Sequence, residues 1–129
     1  MNIKFDSIID HELRIIREKV IGRVTVDEII KYRDEKTSSP EYLETYNILL
    51  DISNGEIVDF LDNMHFYIEF LIQLSKRINF KRKYAILTAK PMDVVHAHLF
   101  IERMEELKLG TFIKAFSEEK NALGWLSVS

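Results

Sequence analysis

The chain has 129 residues, of which 47% are hydrophobic and 30% charged, with 4 Gly, 2 Pro and no Cys. That balance describes a single globular domain over residues 1–129 and excludes a disordered, fibrous or disulfide-stapled chain. The absence of Cys also removes thiolate nucleophiles, Fe–S clusters and Cys-ligated zinc, and makes a cytoplasmic location the expectation. Eighteen Lys and Arg against 21 Asp and Glu give a formal charge of -3, which lacks the basic field of a general nucleic-acid binder.

Charges within Met1-Asn2-Ile3-Lys4-Phe5-Asp6 predict no secretory signal. The β-branched runs Ile3 to Ile9 and Leu13 to Ile21, separated by Asp10-His11-Glu12, predict a β-hairpin that Gly22 ends. Thr25-Val26-Asp27-Glu28 then matches a capping box, in which the Thr hydroxyl accepts from the N3 amide and the Glu carboxylate reaches back to the Thr amide. A helix is expected from about Val26, stopping before Pro40, because the residue preceding proline is pushed out of the helical region. Tyr46 to Asp51 is a short apolar run without alternation, as expected of a central strand covered on both faces.

Asn54-Gly55 closes that strand, and a long helix is expected over about Glu56 to Asn79. Its stripe is read as Ile57, Leu61, Met64, Ile68, Leu71, Ile72 and Ile78. Asp59, Asp62, His65, Glu69, Gln73, Lys76 and Arg77 interrupt the segment, which makes it a soluble helix and not a membrane span. Tyr84 to Thr88 reads as a second buried strand, and Met92 to Leu107 as a helix with Val94, Val95, Leu99, Ile101 and Met104. Gly110 sits where a helix C-cap or turn wants positive φ. Thr111 to Phe116 is the last strand, with Ser117 as N-cap of a terminal helix through Leu126. The order ββαβαβαβα implies an α/β sandwich on a mixed five-stranded sheet, parallel over its last three strands, with right-handed crossovers.

Gly22 to Glu28 after a hairpin, Tyr42 and Tyr46 before a strand ending Leu50-Asp51, and the closing segment Phe116 to Leu126 together resemble small bacterial proteins with the SpoIIAA-like (STAS/SEC14-like) fold. The resemblance spans nearly the whole chain. It implies a domain that binds partner proteins, and in the anti-sigma-factor antagonists of this group a Ser or Thr in an Asp-Ser-Ser/Thr-Gly segment is phosphorylated. Here that place reads Asp51-Ile52-Ser53-Asn54-Gly55, so Ser53 is the nearest hydroxyl, and its first reading is a turn-shaping or capping residue. The SEC14 side of the resemblance raises lipid carriage, for which a chain this short has little room.

His96 and His98, two apart on a helix, project about 200° from each other and cannot share an ion; His11 and His65 have no companion at ligand spacing. No metal or cofactor is expected. Asp51, Thr88 and Lys90-Pro91 resemble the phosphoacceptor Asp, Thr and Lys-Pro of response-regulator receivers, although a receiver opens on a strand bearing an acidic pair and this chain opens on a hairpin. Phosphate-loop, nucleophile-elbow and zinc-helix motifs do not occur. On the long helix Phe66 and Phe70, flanked by Leu74, fall opposite the assigned stripe, so they need a cover from the same chain or from a second molecule. Lys76, Arg77, Lys81, Arg82 and Lys83 form a basic cluster that reads as a solvated helix end with a possible anionic partner.

The sequence therefore points to a non-enzymatic interaction or regulatory module, self-associating as a homodimer through Phe66, Phe70 and Leu74, with Asp51 and Ser53 as candidate regulatory residues and neither nucleic acid nor membrane insertion as a partner. The alternatives are a receiver-like phosphotransfer protein using Asp51, and a binder of a small apolar ligand or lipid between the long helix and the sheet.

Overall fold

The computed structural model of the chain describes residues 3–40, 42 and 45–128. Met1 and Asn2, which open the segment read for a secretory signal, lie outside the described residues. The elements are β1 (Phe5–Asp10), β2 (Ile15–Val20), β3 (Gly22–Val24), α1 (Val26–Thr37), β4 (Asn47–Asp51), β5 (Gly55–Ile57), α2 (Phe60–Ser75), β6 (Lys83–Leu87), α3 (Pro91–Leu107), β7 (Phe112–Phe116) and α4 (Glu119–Ser127).

The main sheet has the order β1-β2-β4-β6-β7 and is parallel except for the antiparallel edge strand β1. The hairpin turn is longer than its apolar runs suggest, with residues 11–14 between the paired Asp10 and Ile15. Asp10 accepts from the Leu13 amide at 2.9 Å, and Arg14 closes the turn in the left-handed region at φ 57°, so the second strand starts at Ile15 rather than Leu13.

A second, two-stranded parallel sheet pairs β3 with β5, a feature absent from the sequence reading. It delays the long helix, which starts at Phe60 and not at Glu56, because the backbone of residues 55–57 is engaged with residues 22–24. Two glycines permit this. Gly22 leaves the hairpin at φ 71°, and a Cβ on Gly55 would lie 2.5 Å from the Val20 carbonyl oxygen, so only glycine allows the two backbones to meet there.

Right-handed crossovers taken in one direction across the sheet put α1, α2 and α3 on the same face. There Val20, Ile86 and Ile113 pack with Ile29, Leu71, Leu74, Phe100 and Met104. The chain then turns back, and α4 covers the opposite face, docking Ala122 and Leu126 on Ile15, Leu49, Ala85 and Leu87 while Trp125 lies 5.7 Å from the Phe116 ring.

The capping box of α1 is present. Thr25 Oγ1 accepts from the Glu28 amide at 3.2 Å, and Glu28 Oε1 accepts from the Thr25 amide at 3.0 Å. Asp59, just ahead of α2, accepts from the Val26 amide at 2.8 Å and from Asn63 at 2.8 Å, which ties the starts of the two helices together.

Two local expectations are corrected. Ser117 does not cap α4; the N-cap is Glu118, whose carbonyl takes the Asn121 and Ala122 amides. Gly110 takes the positive φ expected of it, 99°, in the turn after α3, two residues beyond the left-handed C-cap Lys108 at φ 51°. The buried stripe of α2 is rotated from the one assigned, with Phe60, Tyr67, Ile68, Leu71 and Leu74 buried while Leu61 is exposed. On α3, Ala97, Phe100 and Met104 are buried while Val95 and Leu99 are exposed. Both helices carry apolar residues on more than one side, so periodicity alone leaves the phase of the stripe open.

Candidate functional site

In parallel sheets the loops beyond the carboxyl ends of the strands, together with the helix starts they lead into, form the usual binding end. Here that end gathers the residues after β4 and β6. Asp51 closes β4, and its Oδ1 accepts from the Ser53 amide at 2.9 Å and from the Ser53 hydroxyl. The two candidate regulatory residues are thus in contact, and Ser53 serves as the turn-shaping residue of the loop.

Asp51 stands in register with Lys19 and Leu87, and Lys19 with Asp6, so Asp6, Lys19 and Asp51 alternate in charge across the sheet. This row and Arg17, which pairs with Glu119 of α4 at 2.7 Å, border a groove of about 490 Å³. Lys90 Nζ donates to the Gly55 carbonyl at 2.7 Å, and the Thr88 amide to the Phe116 carbonyl at 2.8 Å. Of the residues that resembled a receiver trio, Asp51 Oδ1 and Lys90 Nζ tie the loops, through Ser53 and β5, while the Thr88 hydroxyl is buried without a hydrogen-bond partner. Among the described residues no group of three His, Asp or Glu side chains is placed to hold a metal ion.

Beneath the start of α3 lies a cavity of about 60 Å³. The sheet supplies Leu50, Tyr84 and Ile86, α1 supplies Val26 and Ile29, α2 supplies Phe60 and Tyr67, and α3 supplies Asp93, His96, Ala97 and Phe100. The third sequence reading named an apolar space between the long helix and the sheet, and Phe60 and Tyr67 of that helix line this one together with α1 and α3. Its carboxylate is Asp93, whose Oδ2 is buried and has no hydrogen-bond partner in the structure. His96 packs on Phe60 at 5.9 Å between centroids, whereas His98 faces solvent, so the two histidines diverge as their spacing on the helix demands. Tyr67, Tyr84 and Phe100 also wall a smaller cavity of about 30 Å³ on the side of Arg33 and Arg82.

A buried polar cluster closes the far end of this layer. Arg33 on α1 grips Glu18 on β2 through two bonds of 2.7 Å, Tyr32 donates to Glu18 at 3.0 Å, and Arg33 donates to the Tyr84 hydroxyl at 2.7 Å. Burial pushes the Tyr84 phenol well above its ordinary range. Burial and the Glu18 carboxylate do the same to Tyr32. Burial alone would favour neutral Arg33, but the Glu18 carboxylate holds the guanidinium charged more firmly than in water. Sequence reasoning missed this cluster. A Glu inside an apolar strand and an Arg on the apolar side of the next helix were the available signals.

The structure divides the proposed interface trio. Leu74 is 1% exposed and belongs to the core, Phe70 is half-buried beside Tyr67, and Phe66 is 57% exposed at a groove between α1 and α2. The cover anticipated for Phe70 and Leu74 comes from the same chain. The basic cluster is dispersed too. Arg82 is buried with its guanidinium over the Tyr42 ring, Lys83 bonds to the Trp125 carbonyl at 2.8 Å, and Arg77 pairs with Asp34 at 3.4 Å.

Among solved structures, the chain is similar to a DUF3478-family protein with a SpoIIAA-like fold from Shewanella loihica PV-4. The identity is 16%, the match covers 98% of this chain and 97% of that one, and the TM-score is 0.58. No protein-family model and no curated protein matches the sequence. The fold is SpoIIAA-like, as the resemblance implied, and at this identity the likeness speaks for the fold alone. No helix among the described residues is long and apolar enough to cross a membrane.

Proposed function

We propose that the chain is a non-enzymatic interaction module that pairs with a second copy of itself through the outer face of α3. The observation behind this reading is the exposure of Met92, Val95 and Leu99, at 62%, 50% and 41%. They stand at i, i+3 and i+7, so they share one face of the helix. The last two turns of α3 are polar instead, with Glu102, Arg103 and Glu106 exposed and Arg103 paired with Glu106 at 3.0 Å. An apolar half-stripe ending in charge is the pattern of an interface core with its rim.

The stripe is also self-complementary. Two antiparallel copies of α3 related by a two-fold axis near Val95 set Met92 of each against Leu99 of the other, and Val95 against its own mate.

Sedimentation of the purified chain tests it. The wild type is expected at dimer mass, and Val95→Asp, which places two like charges on the axis, at monomer mass with an unchanged circular dichroism spectrum. A wild type that stays monomeric at high concentration, or a variant that still dimerises, overturns the proposal.

A further inference from the structure

We infer that the cavity under α3 is a binding site for a small organic amine. It lies on the inner face of α3, away from the proposed dimer stripe, and the inference stands independently of that reading. Its walls are aliphatic and aromatic, with Phe60, Tyr67, Tyr84 and Phe100 contributing rings. Into them is set a carboxylate oxygen, Asp93 Oδ2, that is buried and accepts no hydrogen bond within the protein. A buried acceptor without a partner costs stability, and native structures resolve such a group with a bound donor.

Chemistry narrows the donor. Asp93 is in the first turn of α3, where the aligned backbone dipoles favour a negative charge, so a cationic donor forms the stronger, charge-assisted bond. Aromatic rings around a cation add attraction through their faces. No Lys or Arg lines this cavity, whereas Arg33 and Arg82 line the neighbouring one, so the two spaces differ in the charge they accept. Size narrows the ligand further. With roughly 10–15 Å³ for each water-sized occupant, about 60 Å³ accommodates a molecule of about four to six heavy atoms, the size of n-butylamine. The alkyl chain would lie among Ile86, Phe60 and Phe100, with the ammonium at Asp93.

The test is a titration of the isotope-labelled protein by two-dimensional NMR with n-butylamine, n-butanol and butyrate. Butylamine is expected to shift the amides of residues 93–100 saturably, and to bind about tenfold to a hundredfold more tightly than butanol. Butyrate is expected to leave those amides in place. Asp93→Asn should keep a dispersed spectrum and abolish the preference for the amine. Ala97→Val retains the carboxylate but narrows the cavity, and should weaken the amine and the alcohol alike. Absence of saturable shifts, equal binding of butanol and butylamine, or an amine preference that survives Asp93→Asn overturns the assignment.

Discussion

Glu18 and Arg33 offer the sharpest perturbation of the fold, because both ions are buried and each is the main partner of the other. Arg33→Met leaves the Glu18 carboxylate in the core with only the Tyr32 hydroxyl at 3.0 Å. Glu18→Leu leaves the guanidinium with the Tyr84 hydroxyl at 2.7 Å. Breaking a buried pair from one side costs about 3–5 kcal/mol, a large share of the roughly 5–15 kcal/mol that stabilises a domain. The double variant Glu18→Leu/Arg33→Met removes both charges together. What it loses is the pairing of the Tyr32 and Tyr84 hydroxyls, about 2–4 kcal/mol for the two. The double variant should therefore be more stable than the sum of the single losses implies, with a coupling of at least about 2 kcal/mol, well above the usual limit of additivity. Urea unfolding of the four proteins, followed by far-ultraviolet circular dichroism at pH 7, reads the cycle directly. Additive losses, or a single variant costing under about 1 kcal/mol, would refute the claim that the pair acts as one desolvated unit.

Glu28 carries a pH-dependent contribution of known sign. Its carboxyl is held below its ordinary 4.5, first by the hydrogen bond from Lys4 and then by the Thr25 amide. A depressed folded pKa stabilises the protein above the unfolded value and is lost as pH falls through the folded one. The difference in urea midpoint between wild type and Glu28→Gln should be largest near neutral pH and shrink below pH 4.5; a difference that does not change with pH contradicts this. Gly55→Ala should destabilise the chain by about 1–3 kcal/mol through overpacking, since its Cβ would meet the Val20 carbonyl oxygen at 2.5 Å. Thermal unfolding checks it, and an unchanged midpoint would mean that β3 and β5 separate easily.

Sequence reading served best where one local rule governs a segment. The capping box at Thr25 and Glu28 sets the start of α1, and the unalternating runs before Asp51 and Thr88 mark β4 and β6 because parallel strands are covered on both faces. It served less well where the outcome depends on a distant partner. Gly55 to Ile57 has the composition of a helix start, and only its pairing with Gly22 to Val24, more than thirty residues away, makes it a strand. The α2 stripe was misphased for the same reason. Leu61 and Leu74 are equally apolar, and the position of the sheet decides that one is wet and the other buried.

The site was less legible than the fold because its residues carry ordinary local readings. Asp93 in the first turn of a helix is what the macrodipole favours, and nothing in the string Pro91-Met92-Asp93-Val94 distinguishes a solvated carboxylate from one turned into a cavity. The distinction depends on Phe60, Tyr84 and Phe100, three residues on three elements, which together enclose the space that Asp93 faces. Asp51 and Ser53 show the converse. In the spacing that resembled a phosphorylation or receiver site, Asp51 Oδ1 and Ser53 form a two-residue turn, because Asp readily accepts from the amide and hydroxyl of the residue two positions on. Local chemistry thus engages one oxygen, Oδ1, of the acceptor that motif reading favoured. Asp93 Oδ2 is an unpaired acceptor that packing creates at this end of the sheet, and for that reason α3, with a carboxylate turned inward and an apolar stripe outward, is the element on which both proposals rest.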